Sequence, residues 1–334
     1  MSVLALAQAV AALITPILPG NAVTFADARH GWAGGRGGII GTSDGGRSWR
    51  GESRTPVGEI TALDATHAWA LTDEGFVLRT TDGRAWRPLG APHLVRVQFV
   101  DRLHGFGLER DGVVVRSSDG GRSWPQVSTP RTMQAECFSN VLTGWVARGG
   151  SIWGTRDGGK RWTRKRLLRD GQGYPIPELG CRGGDVWVLF HGGAATSHEE
   201  YEVFRSLNGG STWRHVLTNQ FTSGLHLPEI SAYSGPFSVL GHGAAVFLGR
   251  CDPCDGYGTA TVVSTTDGGA TFRRTTPFYG YAPEAVSFVD RRHGWLLTGA
   301  HVASAAPAHL ELVWRTSDGG RTWKLIYRSP LVAS

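Results

Sequence analysis

No stretch of the 334 residues sustains the 3.6-residue apolar period of an amphipathic helix, which argues against a helical bundle or a helix-wrapped parallel sheet. No apolar run reaches the roughly twenty residues that a membrane-spanning helix needs, because Val3 to Leu18 is short and interrupted by Pro16. No P-loop, G-x-S-x-G or H-E-x-x-H occurs, so three common routes to phosphate, acyl and zinc chemistry have no signature. The net charge of +6 is spread one or two residues at a time (Arg47, Arg84, Arg122, Lys160, Arg161, Arg321). A nucleic-acid reader more often gathers basic side chains into a stripe between stacking aromatics, so no nucleic acid is expected and an acidic protein or anionic surface suits the charge better. Cysteine is scarce at four, and Cys251-Asp-Pro-Cys254 is a lone C-x-x-C without a second pair or a close histidine. That spacing predicts no metal and no cofactor; it leaves a local disulfide or free thiols open.

What is abundant is glycine (48), tryptophan (13) and apolar residues (40%), the composition of many short strands joined by tight turns. R-T-S-D-G-G-R-T-W, ending at Trp323, has six approximate copies upstream, ending at Trp49, Trp86, Trp124, Trp162, Trp213 and Phe272. The turn residues are Asp44, Asp82, Asp119, Asp157, Asn208, Asp267 and Asp318. A carboxylate there accepts N–H bonds inside the turn, the following glycine takes positive φ, and the indole buries about 150–250 Å² between neighbouring layers. This is a structural unit, and the chain is first of all a repeat protein.

A second signature precedes most copies: F-A-D-A-R-H-G-W from Phe25, L-D-A-T-H-A-W from Leu63, F-V-D-R-L-H-G-F from Phe99, F-S-N-V-L-T-G-W from Phe138 and F-V-D-R-R-H-G-W from Phe288. With the first motif, which resembles the Asp-box or bacterial neuraminidase repeat, it makes the chain similar to the photosystem II stability and assembly factor family of β-propellers. The resemblance covers nearly everything after residue 20 and is specific for architecture. It implies an all-β, seven-bladed propeller of four-stranded antiparallel blades with the boxes on the third-to-fourth-strand hairpins, and a role in assembling a membrane complex.

Residues 1–20 are then an apolar N-terminal segment ahead of one propeller domain over 21–334, with blades at 21–54, 55–90, 91–130, 131–168, 169–218, 219–276 and 277–329. The segment has the apolar region of an export signal without its basic start, or is a strap over residues 5–18. The first alternative implies an extracytoplasmic protein. The last blade supplies its own outer strand, so closure is expected from packing of blade one on blade seven. Cys137 and Cys181 fall on adjacent inner strands, where an inter-blade disulfide is within reach.

Successive box aromatics are 37, 38, 38, 51, 59 and 51 residues apart, so blades five to seven carry insertions. Most of these fall on the face opposite the boxes, in the segments 191–202, 249–260, 299–310, 169–178, 219–229 and 275–284. They carry Tyr174, His191, His198, Tyr201, Phe221, His226, Tyr257, Phe278, Tyr279, Tyr281 and His301, the amphipathic aromatics that binding surfaces favour. The alternative is that these loops plug one another. Glu59, Glu178, Glu229 and Glu284 are expected at the channel mouth, either open to a cation or basic peptide, or paired with arginine. The composite expectation is a monomeric, non-catalytic scaffold binding a protein or peptide through the loop-rich face. The competing reading is a glycan-binding or sialidase-like glycan-cleaving propeller. That chemistry needs two facing carboxyl groups, and nothing in the sequence pairs any two of Glu199, Glu200, Asp252, Asp255 and Glu284.

Overall fold

In a computed structural model, described over residues 22–90, 93–169, 175–195, 198–219, 226–251, 259–279, 282–302, 308–329 and 332–333, seven antiparallel sheets follow one another in chain order. Blade 1 is Ala22–Phe25, Gly31–Gly35, Gly38–Thr42 and Arg50–Ser53, paired in that sequence from the inner to the outer edge. Blades 2 and 4 to 7 repeat the pattern, their inner strands being Glu59–Ala62, Ala135–Phe138, Ile176–Arg182, Tyr233–Gly241 and Ala282–Phe288. Blade 3, opening with Leu94–Phe99, has three strands, and an isolated bridge from Val115 to Gln126 stands for the fourth. Val332–Ala333 adds a short strand to blade 7. The result is the expected seven-bladed propeller. The suggested strap over residues 5–18 lies outside the described residues.

The second signature is a lock between blades. Phe25, Phe99 and Phe138 end their inner strands opposite Gly31, Gly105 and Gly144. A Cβ on any of these glycines would fall inside the phenylalanine ring. The other face of each ring stacks on the preceding blade: Phe25 on Trp295 at 3.6 Å, Phe99 on Trp69 at 3.6 Å and Phe138 on Phe106 at 3.5 Å. The first of these closes the ring, helped by hydrogen bonds from Phe25 N–H to Ser287 Oγ (3.0 Å) and from Trp295 Nε1–H to the Gly45 carbonyl (3.3 Å). The Asp-x-x-His part shapes the connecting turn: Asp101 accepts N–H bonds from Leu103 and His104 at 2.8 Å, and its carboxylate also meets the His104 ring.

The D-G-G turns are built alike. Thr316 Oγ1–H donates to Asp318 and the same oxygen accepts the Gly320 N–H; Asp318 accepts the Thr322 N–H at 3.0 Å and its hydroxyl at 2.6 Å. Both glycines have φ near +80° (76° and 83°), the left-handed region in which a side chain is strained. In blade 5 Asn208 supplies the same geometry with one bond reversed, its amide donating to Thr212 Oγ1 at 2.9 Å.

Cys137 and Cys181 form a disulfide between the inner strands of blades 4 and 5, with Cα atoms 5.9 Å apart. Cys181 pairs with Val186, immediately before Trp187, and so occupies the position that phenylalanine holds in the locked blades. A covalent bond replaces a stacked ring there. Cys251 is also disulfide-bonded.

The insertions in blades 5 to 7 were expected as loops; much of their length is strand. Second strands of 4 to 5 residues in blades 1 to 4 become Asp185–Ala195, Ala244–Cys251 and Gly294–Val302, 11, 8 and 9 residues long. Their third-strand partners lengthen with them, and pairing runs out to Ala195–His198, Cys251–Thr259 and Val302–Ala308. Added residues that alternate and pair satisfy their own backbone groups, which an irregular loop would leave to water.

Candidate functional site

The side opposite the D-G-G turns is therefore uneven, with three contiguous blades raising long hairpins above the other four. Of the residues expected to form a surface there, Tyr174, Phe221, Tyr257 and Tyr281 lie outside the described residues. Phe278 and Tyr279 belong to the outer strand of blade 6, opposite Ala260 and Thr259. His301 is near the tip of the blade 7 hairpin, opposite His309. His198 starts the third strand of blade 5, and His226 is exposed.

Tyr201 is not on that surface. Its side chain is 1% exposed, and its hydroxyl accepts the N–H groups of Ile230 (2.6 Å) and Ser231 (3.2 Å) while donating to the Ser231 carbonyl (3.0 Å). The strand register turns it inward, where it anchors the chain entering blade 6.

His191 is likewise committed. Its Nδ1 lies 2.8 Å from Glu199 and 3.1 Å from Ser234 Oγ, and its Nε2 lies 3.5 Å from Glu178. Burial works against the charged ring, but bonds to the two carboxylates outweigh it and raise the pKa to about 10. Ser234 N–H and Oγ–H both donate to Glu199. Through these Ser234 bonds the blade 5 imidazolium and its two carboxylates are tied to blade 6. A carboxylate meets each ring nitrogen and the Ser234 hydroxyl donates to Glu199, so the charged ring has no free nitrogen to take a proton from serine as a triad histidine does.

Of the remaining mouth carboxylates, Glu229 and Glu59 also face cations. Glu229 lies 3.5 Å from Arg274 in an exposed pair. Glu59 on blade 2 and Glu136 on blade 4 flank Arg96 on blade 3; burial raises both carboxyl groups, Glu136 to about 7, and Arg96 opposes the shift. Glu136, 4% exposed, is not among the residues expected at the mouth. On blade 7 Glu284 lies against Gly299, whose strand partner is Glu311. Burial and then the Glu284 charge raise Glu311 to about 7, with Arg36 opposing. Among the described residues no group of three histidine, cysteine or acidic side chains is placed to hold a metal.

A groove of about 450 Å³ opens between blades 4 and 5, beside their D-G-G turns. Trp145 and Trp213 line it together with Arg156, Arg161, Arg164 and Lys165, against one acid, Asp157. The sequence did carry a signal for it in the unbroken T-R-K-R of the blade 4 outer strand, exposed along its whole length.

No family model and no curated protein matches the sequence. Among solved structures, one described as YCF48 bound to D1 peptide superposes with a TM-score of 0.58 at 16% identity, covering 83% of this chain and 89% of that one. The chain shares the YCF48 fold. YCF48 from Cyanidioschyzon merolae gives 0.53 at 18% identity, covering 82% and 85%. An ancestral GH74 enzyme gives 0.53 at 13% identity, covering 92% of this chain and 55% of that one. At these identities the likeness is one of fold, and the propeller hosts partner-binding and enzymatic proteins alike.

Proposed function

We propose that this protein is a non-catalytic scaffold that binds a protein or peptide partner through the raised hairpins of blades 5 to 7, in the assembly or stability of a membrane complex. The carrying observation is the selective lengthening of the middle strands in three contiguous blades, against four blades of near-minimal length. Strand-paired hairpins hold their tips rigidly, which lowers the ordering cost of binding. The YCF48 structure with its D1 peptide is an instance of a peptide partner on this fold. Disulfides at Cys137–Cys181 and at Cys251 suit an extracytoplasmic location.

The carboxylates support binding over hydrolysis. Glu178 and Glu199 are separated by the charged His191 ring, and the inserted segments 191–202, 249–260 and 299–310 contain no tryptophan to stack on a sugar. The test is replacement of Tyr257, Tyr279 and Tyr281 by Ala, followed by affinity capture from membrane extract, with circular dichroism to check folding. A partner captured by the parent and lost by the folded variant is expected. Identical capture by both overturns the hairpin site, and hydrolysis of a glycan by the parent overturns the non-catalytic reading.

A further inference from the structure

One position on the outer strand, three residues after the box aromatic, decides how each seam between blades is filled. It reads Glu52, Leu89, Val127, Lys165, Val216, Thr275 and Ile326 around the ring. Four of these are aliphatic and press on the second glycine of the next D-G-G turn, where an added Cβ would collide with Ile326 at Gly46, stand 3.2 Å from Leu89 at Gly121, 2.5 Å from Val127 at Gly159 and 3.0 Å from Val216 at Gly269. Thr275 instead donates to the Gly320 carbonyl at 3.1 Å.

Glu52 fills its seam by other means. Its side chain is 2% exposed, and its Oε2 accepts the indole N–H groups of Trp32 and Trp86 at 3.0 Å each, while Arg50 pairs with Oε1 at 2.6 Å. Two tryptophans from adjacent blades and one cation thus enclose a carboxylate, whose loss of water is offset because both of its oxygens are met by donors.

The seam between blades 4 and 5 has the same tryptophans, Trp145 for Trp32 and Trp213 for Trp86, but Lys165 stands where Glu52 does. Lys165 is exposed and fills nothing, and the groove is the space that remains. Trp145 Nε1–H has no acceptor among the described residues, whereas Trp69 and Trp295 donate theirs to turn carbonyls of the next blade. The disulfide pins the inner end of this seam, so its outer end stands open without loosening the ring.

We propose that this seam is a carboxylate slot for an acidic segment of a partner protein, a Glu or Asp side chain entering from outside as Glu52 does from within. The partner carboxylate accepts from Trp145 Nε1 and pairs with Lys165, while Arg156 and Arg161 at the rim hold the flanking acids. The slot is on the opposite side from the long hairpins and does not depend on them.

The probe is a fluorescein-labelled Gly-Glu-Glu-Glu-Gly peptide, acetylated and amidated, with its Gln counterpart as control, read by anisotropy at low salt. The indole N–H resonance of Trp145, assigned with Trp145→Phe, reports the floor of the slot. The Glu peptide alone should bind and shift that resonance. Lys165→Val plugs the seam as Val127 and Val216 do, and should weaken binding about tenfold or more while raising the melting temperature. Lys165→Glu should shift the Trp145 resonance without any peptide. Lys160→Ala removes the same charge outside the groove and should change affinity less than about twofold. Equal losses for Lys165→Val and Lys160→Ala, equal binding of both peptides, or no binding at millimolar peptide overturns the slot. Equally effective displacement by inorganic phosphate assigns a general anion site and overturns it too. The Tyr257, Tyr279 and Tyr281 variant should bind the probe as the parent does, so failure of either site is seen separately.

Discussion

At the scale of single residues, the fold depends on atoms that are missing. Gly144 has no Cβ because the Phe138 ring occupies that space, and the ring is held there by Phe106 behind it. Gly144→Ala should therefore cost about 1–3 kcal/mol by overpacking, read as a lower melting temperature. Gly51→Ala, with open space at its Cβ, should be neutral or slightly stabilising. Titration also acts residue by residue. Hydrogen bonds to Ser48 hold Asp44 down at about 2, and despite some burial the Thr322 bonds do the same for Asp318. Their folded pKa values lie below the unfolded value near 3.8, so their contribution is complete above pH 4 and is lost as pH falls through 2. Glu136 and Glu311 are shifted the other way, to about 7 by burial. Their contribution is complete below the unfolded value near 4.5 and is lost as pH rises through 7. Stability should thus peak near pH 4–5 with respect to these groups, and Glu136→Gln should flatten the decline between pH 5 and 7 in denaturant melts. The turn aspartates were legible because D-G-G is a local instruction. Glu136 was not, since only the assembled ring brings it beside Arg96.

At the scale of elements, the seams separate what a repeat can reveal from what it hides. Strand order and blade boundaries followed from motif spacing, because each motif fixes one hairpin. The long hairpins were read as loops because the inserted segments carry glycine and proline that resemble turn punctuation, while their pairing is settled across the blade. Tyr201 was misplaced for the same reason: once its segment is a strand, alternation sends it into the core. The disulfide closes 44 residues between two inner strands. By the chain-entropy argument, replacing Cys137 and Cys181 together with Ser should cost roughly 3–4 kcal/mol. Chemical denaturation of parent and double variant checks it, and a loss below about 1 kcal/mol would mean that the neighbouring packing holds the seam unaided.

At the scale of the whole molecule, the propeller has two unlike sides. One carries the D-G-G turns, with the open seam between blades 4 and 5 beside them; the other carries the raised hairpins of blades 5 to 7. Repetition accounts for the ring, and departures from it mark where recognition is proposed, in keeping with long segments held on a rigid scaffold. The most direct test of partner binding through the hairpins is hydrogen–deuterium exchange on the protein alone and in complex with whatever it captures from membrane extract. Protection should be confined to the far ends of the blade 5 to 7 hairpins, around 191–202, 249–260 and 299–310. Protection that leaves those ends unchanged and falls instead on blades 1 to 3 would contradict it.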